Sequence, residues 1–448
     1  MAPITSWKGA VVLVEVPRNP GGRSRGGLNR DGLRRVTGLA RSTPGRLSLL
    51  ALLLIVVSLL VGAVTALSVQ RRSAALEALA DRSEPLAFAA QEVYRAMADA
   101  DATAASAFLS GGVESSALRG RYEDDVAKAA AALSAATSGT ARPARVGGAL
   151  ATLSGQLPVY TGLVETARTH NRQGNPVGAA YLREASTLMR TRLLPAAQEL
   201  YRVENANVVR DLEGAGSPPW AELLLGAAAL AALVLAQRFL TRRTNRVLNP
   251  GLVVATAVTA VSLLWALGAG LLVVSHVSTA KDGAALVDVL ARARIATLTA
   301  RGDETLTLVA RGNGGDYENA YAEADRVLAE QLARARGLVV SAHLDGAVEH
   351  HGRWREAHRQ VREADGRGDH TAAVAVALGR DAAGAATAFD ALDSELLAAI
   401  GAARAELTLA IGEARGALRG VVAAVTALAL LAAAASTSGV WQRLKEYR

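Results

Sequence analysis

The chain has no cysteine in 448 residues, which excludes disulfides, thiolate metal sites, a cysteine nucleophile and thioether lipid anchors. Strand signals are scarce too: β-branched alternating runs are few, whereas Ala, Leu, Glu and Arg, all good helix formers, dominate. No G-x-S-x-G elbow, P-loop or dinucleotide fingerprint stands in a strand-turn-helix setting. Charge is missing from three apolar stretches, Leu47–Val69, Leu252–Val274 and Gly420–Val440, and a fourth, Trp220–Ala236, carries a single acid at its edge, Glu222. A bilayer core takes about 20 apolar helical residues, so each run is close to a spanning length. The first is longer than the roughly 7–15 apolar residues of a secretory signal, and it reads as a retained anchor.

Lys and Arg are placed unevenly around these runs. Residues 1–46 carry nine bases against two acids, the loop RFLTRRTNRVLN (238–249) four arginines and no acid, and the tail WQRLKEYR three bases and one acid. Four crossings put these three segments on one side, and the positive-inside rule makes that side the cytoplasm, with both termini there. The long segments between them balance at sixteen bases to sixteen acids (70–219) and sixteen to twenty-one (276–417). The net charge of +8 is therefore membrane-flanking, and with aromatics at 4 % no aromatic, basic face is left to read nucleic acid. The Gly/Arg-rich arm RNPGGRSRGGLNRDGLRR suits anionic lipid headgroups.

The predicted order is a disordered basic cytoplasmic arm (1–46), a span (47–69), an extracytoplasmic helical bundle (70–219), a span (220–237), a basic cytoplasmic loop (238–250), a span (251–275), a second bundle (276–417), a span (418–440) and a tail (441–448). The fold class expected is an all-α membrane protein with four transmembrane helices and two sensor-like four-helix bundles. The two bundles read as copies of one unit. Asp101-Ala102-Thr103 lines up with Asp303-Glu304-Thr305, the glycines at 111–112 with those at 312–315, and Tyr122 with Tyr321. Tyr160 and NRQGN (171–175) match Trp354 and DGRGD (365–369) at one constant offset. Gly and Pro breaks divide the first copy into helices at 71–110, 117–137, 145–172 and 177–213, and the second into 277–311, 317–337, 342–364 and 370–417. The outer helices are expected to run directly out of and into the anchors, in up-down-up-down order. A 40-residue helix puts its far end about 60 Å from the bilayer, so the loops at 111–116, 171–176, 312–316 and 365–369 form distal tips.

MADADATAASAFLSGG (97–112) ends the first exterior helix, and RGDETLTLVARGNGG (301–315) is its echo. Asp99 and Asp101 sit two apart on a helix, about 200° around it, and cannot flank one scissile bond. With Thr103, Ser106, Asn171, Asn175, Asp303 and Thr305 they are the candidate ligand or partner positions, as a tip-proximal polar surface or as a buried network. His343, His350 and His358, with His351 beside them, recur two turns apart, too far for one ion, and read as a solvated helix face. No metal and no cofactor is expected, and no catalytic residue. Arg238, Arg242, Arg243 and Arg246 are the candidate cytoplasmic partner contact. Gly412, Gly416 and Gly420, every fourth residue, are a candidate helix-packing strip that would also suit a homodimer.

Four anchors and two exterior helical bundles, with SEPLAFAAQEVYRAMADADATAASAFLSGG (83–112) and VYTGLVETARTHNRQGNPVGAAYLREASTLM (159–189), resemble the GlnX-type membrane proteins of actinobacteria. The resemblance runs from about residue 45, closest in the first exterior domain and looser in the second. It implies work with a glutamine-type solute-binding lipoprotein outside and a soluble Ser/Thr protein kinase inside, relaying amino-acid availability to metabolism. The expected function is thus a non-enzymatic transmembrane signal relay. A structural membrane scaffold and a transporter subunit are the alternatives the sequence leaves open.

Overall fold

The computed structural model describes residues 43–111, 114–137, 144–244, 249–381 and 383–445, and among them the chain is all-α, with no strand. The chain runs through α1 (Thr43–Ala78), α2 (Glu84–Leu109), α3 (Ser116–Thr137), α4 (Ala144–Arg172), α5 (Val177–Leu188), α6 (Leu194–Ala215) and α7 (Trp220–Thr244). It continues through α8 (Pro250–Val309), α9 (Gly315–Leu338), α10 (Ala342–Gly366), α11 (His370–Ala377), α12 (Ala385–Leu418) and α13 (Val421–Lys445). Among the described residues four stretches are long and apolar enough to cross a membrane, and they overlap the four apolar runs, in α1, α7, α8 and α13. Their outward faces carry exposed leucines, among them Leu53, Leu224, Leu264 and Leu431. Such apolar area costs free energy in water and none in lipid, so this is a multi-pass membrane protein.

Two helices reach from their spans to the far end without a break. Asn249 caps α8, its side chain accepting from the Gly251 amide at 3.1 Å, and Pro250 starts the helix where its missing N–H costs nothing. From there α8 continues for 60 residues. Helix α1 passes into α2 through one π turn, Leu79–Ser83, and a second π turn, Met189–Leu193, joins α5 to α6. Proline opens the helix after each, at Pro85 and Pro195. A proline ring collides with the carbonyl four residues back, and a one-residue widening accommodates it without ending the helix.

The returning helices differ from the expectation. Helix α6 stops at Ala215, and Ser217-Pro218-Pro219 separates it from α7; α12 stops at Leu418, and Gly420, at φ 78°, separates it from α13. Neither runs directly into its span, because two successive prolines and a left-handed glycine cannot continue a helix. The predicted helix 370–417 is also two, α11 and α12. Between them the chain folds back so tightly that a Cβ on Gly384 would lie 2.0 Å from the Gly379 carbonyl oxygen.

The two exterior segments share one core. Helices α2 and α8 lie along each other through Ala89, Ala96, Ala100 and Ala104 on one and Ala293, Ala296 and Ala300 on the other, all buried in the same cluster. Around them α3–α6 and α9–α12 complete the two halves, and the matched aromatic pairs take matching places: Tyr122 and Tyr321 are buried, and Tyr160 and Trp354 fully so. A second cluster draws Leu76, Leu212, Val273, Val277, Ile411 and Val425 into a collar where the exterior helices meet the spans.

Candidate functional site

Alanine at the α2–α8 contact lets two backbones approach closely, and the polar residues set among those alanines are therefore buried. Asp101 accepts hydrogen bonds from Ser186 (2.9 Å) and Tyr160 (3.3 Å). Its counterpart Asp303, with no exposed side-chain surface, accepts from Arg190, which the π turn after α5 delivers from the first half into the second. Burial pushes both carboxyls up, Asp303 to about 6, while Arg190 pulls each of them down. Asp99 is also buried and paired, with Arg95 at 2.8 Å and Arg121 at 3.8 Å. Burial raises its carboxyl, Asp393 adds to the rise, and Arg121, Arg95 and Arg294 oppose it.

The second half holds a network whose centre the sequence reading missed. Glu304 accepts from Arg301, from Trp354 Nε1 at 3.3 Å and from His358 at 2.9 Å, and His358 also reaches Glu318 at 3.3 Å while stacking on Tyr321. Burial works against the Glu304 carboxylate, but His358 and Arg301 outweigh it and hold it below the ordinary range. Burial likewise works against charged His358, and its two acids outweigh that and lift it to about 9. The signal was the Tyr160/Trp354 match: each buried aromatic needs an acceptor, and Trp354 finds it one residue further along than Tyr160 does. His351 is buried against Asp325 (2.6 Å). The histidine stripe read as a solvated face is therefore split, with His343 exposed beside Glu395 and His351 and His358 in the core.

The remaining candidates fall apart by location. In the 97–112 stretch Thr103 and Ser106 are buried together with Asp99 and Asp101. The Ser106 and Thr305 hydroxyls turn back onto carbonyls of their own helices, at 2.8 and 2.9 Å, and offer nothing outward. Asn171 ties α4 to the end of α2 through the Phe108 carbonyl (3.1 Å), and Asn175 shapes its own turn by accepting from the Val177 amide (3.2 Å). Arg238 and Arg242 are exposed on the last turns of α7, Arg243 is in the same helix, and Arg246 lies outside the described residues. Gly412, Gly416 and Gly420 pack against nothing within the chain: all three are exposed, and a Cβ on any of them meets no atom within 4 Å. The strip faces away because Leu407, Ala410, Ile411 and Ala414 supply the buried face of α12.

Flanking the α2–α8 contact are two grooves, each formed by the last helix of one half and the first two of the other. The groove between α6, α8 and α9 has a volume of about 630 Å³, with Tyr94, Leu194, Ile295 and Val327 among its walls and Arg190 and Asp303 in its lining. Along it Asp288 accepts from Tyr201 (3.0 Å), Asn205 (3.2 Å) and Arg292 (3.0 Å). The groove between α12, α2 and α3, about 530 Å³, is lined by the charges Arg95, Asp99, Arg121, Asp125, Arg294 and Asp393. There Arg294 grips Asp393 through two hydrogen bonds at 2.6 and 2.9 Å, while Oδ2 of Asp125 is buried without a hydrogen-bond partner. The first groove has the mixture of apolar wall and few polar groups that small-molecule sites use.

Residues 75–213, from the end of α1 to the end of α6, match the family model of the actinobacterial sensor domain. No curated protein and no solved structure matches the chain. The first half is thus similar to a domain whose work is sensing, and a role in signalling follows at that level. Asp99, Asp101, Asn171, Asn175 and Arg190 lie inside the matched segment, whereas Asp303 and the α8–α9 wall of the larger groove lie beyond it.

Proposed function

We propose that the protein is a non-enzymatic transmembrane signal relay: it responds to extracellular amino-acid availability through a solute-binding lipoprotein and passes the response to a cytoplasmic Ser/Thr protein kinase. The observation that carries the reading is the contrast between unbroken and broken helices. The α1–α2 rod and α8 each reach from span to far end without a stop, and they meet along one alanine-lined contact in the sensor-like body. The returning helices α6 and α12 are hinged at Pro218-Pro219 and at Gly420. A rigid rod transmits a displacement at its tip, and a hinge lets the neighbouring span stay where it is. The similarity of 75–213 to a sensor domain supports the input end. The resemblance of the whole plan to GlnX-type proteins supports the identity of the two partners.

On this reading the output leaves through the arginines of the last turns of α7 and the loop that follows. Reversing Arg238, Arg242, Arg243 and Arg246 to glutamate, in a chain verified to insert, abolishes kinase association and the metabolic response to external glutamate or glutamine. Crosslinking in intact cells from probes at the α2–α3 turn and in this loop captures a binding lipoprotein from one and a kinase from the other. A chain that keeps its response after the charge reversal and crosslinks only to other envelope proteins is a scaffold.

A further inference from the structure

At the far end of the first half, where α2, α3 and α4 meet, a cavity of about 60 Å³ is lined by Glu114, Arg119, Arg168 and Arg172, with Ala107 and Phe108 as its apolar wall. Arg168 is the buried member: 9 % exposed, it lies over the Tyr122 ring at 4.2 Å and donates to Glu165 (2.6 Å) and Glu114 (3.0 Å). Arg119 makes an exposed pair with Glu123 at 2.9 Å, and such a pair contributes little. Arg172 is exposed and has no acid partner among the described residues. The second half shows the same corner neutralised. Arg362 stands eight residues after Trp354, as Arg168 does after Tyr160, and Glu318 precedes Tyr321 by the three residues that separate Arg119 from Tyr122. There Arg362 pairs with Glu318 (3.0 Å) and with Asp365 (2.7 Å). In the first half Arg119 and Asn171 stand where those acids are, and Arg172 stands in place of Gly366. Glu114 and Glu165 compensate Arg168, and the surplus positive charge is left at Arg119 and Arg172.

We propose that this cavity binds the carboxylate of a small organic monoacid between the Arg119 and Arg172 side chains, with a short apolar tail against Ala107 and Phe108. A water takes about 30 Å³ of the liquid, so a cavity of about 60 Å³ holds two waters or the two oxygens of one carboxylate. Guanidinium groups meet carboxylates through charge-assisted hydrogen bonds, which are stronger than those a neutral amide accepts. Glu114 in the lining tolerates one negative charge and repels a second, so a monoacid binds in preference to phosphate. Phosphate also gains nothing from the Phe108 wall. The corresponding corner of the second half takes no such ligand, because Glu318 and Asp365 already occupy its arginine. The site goes beyond the relay reading: it places a ligand on the chain itself, inside the sensor-like segment, bridging the first turn of α3 to the end of α4.

Butyrate, its neutral isostere butyramide and inorganic phosphate test it, on the full chain in nanodiscs of zwitterionic lipid with empty discs as the blank. Saturation-transfer NMR reads the two organic probes directly and reads phosphate through its displacement of butyrate. Butyrate binds at least tenfold more tightly than butyramide, and equimolar phosphate leaves it in place. Arg172→Gln, at an exposed position with no ion pair to lose, weakens butyrate at least tenfold without moving the melting temperature. Glu114→Gln strengthens butyrate severalfold, because it removes the one acid of the lining, and a misfolded chain cannot imitate a gain. Equal binding of butyrate and butyramide, binding of neither, displacement by equimolar phosphate, or butyrate binding that Arg172→Gln leaves unchanged or Glu114→Gln weakens overturns the proposal. The relay reading is judged separately, by the arginine-loop reversal in cells, and its outcome there does not depend on whether butyrate binds.

Discussion

In the first half a buried tyrosine, Tyr160, hydrogen-bonds an acid on the central helix α2; at the matching place in the second half a buried tryptophan, Trp354, hydrogen-bonds an acid on α8. The acids differ in what else reaches them. Asp101 receives only hydroxyls, from Tyr160 and Ser186, and burial pushes its carboxyl up toward the neutral form. Glu304 receives a guanidinium and an imidazolium besides the indole, and it is held charged against its burial. At this matched position the first half holds a hydroxyl-bonded acid and the second a salt-bridged one, although the first half has its own buried ion pairs at Asp99 with Arg95 and Arg121.

Removing the acids breaks this comparison most directly. Glu304→Ala strands Arg301, His358 and the Trp354 N–H in the core, and removal of one partner from a buried charge network costs about 3–5 kcal/mol. Asp101→Asn leaves a neutral acceptor for Tyr160 and Ser186 and costs about 1 kcal/mol, the scale of one altered hydrogen bond. Thermal unfolding of the full chain in nanodiscs reads both. Equal losses would show that the two halves are electrostatically alike.

Next in size is the pH dependence. His358 is raised from 6.5 to about 9 in the folded chain, so its stabilising contribution is fully present below pH 6.5 and is lost as pH climbs through about 9. Asp303 is raised from 3.8 to about 6, so folding is favoured relative to the charged form only below that window, and this advantage disappears as pH rises from 3.8 through 6. The melting temperature therefore falls between pH 6.5 and 9, and His358→Gln flattens that limb while leaving the lower one. A wild-type profile flat from pH 6.5 to 9 would refute the charged imidazole at the second half's core.

Much of this was readable from residues alone. Four apolar runs, the duplication and the position of Asp303 opposite Asp101 follow from spacing, because a membrane span and a helical repeat each impose a local period. The shared core does not follow. Alanine at Ala89, Ala96 and Ala100 is as compatible with a solvated helix as with a close helix contact, and only the tertiary arrangement of α2 against α8 decides. Arg190 was invisible for the same reason: an arginine on a polar helix reads as surface, and a π turn rotates this one into the partner half. The hinges were partly legible, since Pro218-Pro219 and Gly420 are in plain view, and the expectation of continuous returning helices gave too little weight to what those residues forbid.

The smallest effect bears on the glycines of α12, and its sign is informative. In the first half the corresponding returning helix, α6, contributes Leu212 and Ala215 to the collar, and a Cβ on Gly214 would come into ordinary contact with Ala75, whereas one on Gly412 or Gly416 would meet nothing. A glycine in an exposed helix interior is less favourable than alanine by about 0.5–1 kcal/mol, since it gives up more backbone freedom on folding. Gly416→Ala therefore raises the melting temperature slightly, and Gly412→Ala does the same, the two adding because each meets only solvent. If the strip instead seats a second copy, each added methyl group enters a packed contact, and both variants lower stability in a way that grows with protein concentration. Melting curves taken across a tenfold range of chain per nanodisc lipid separate the two signs.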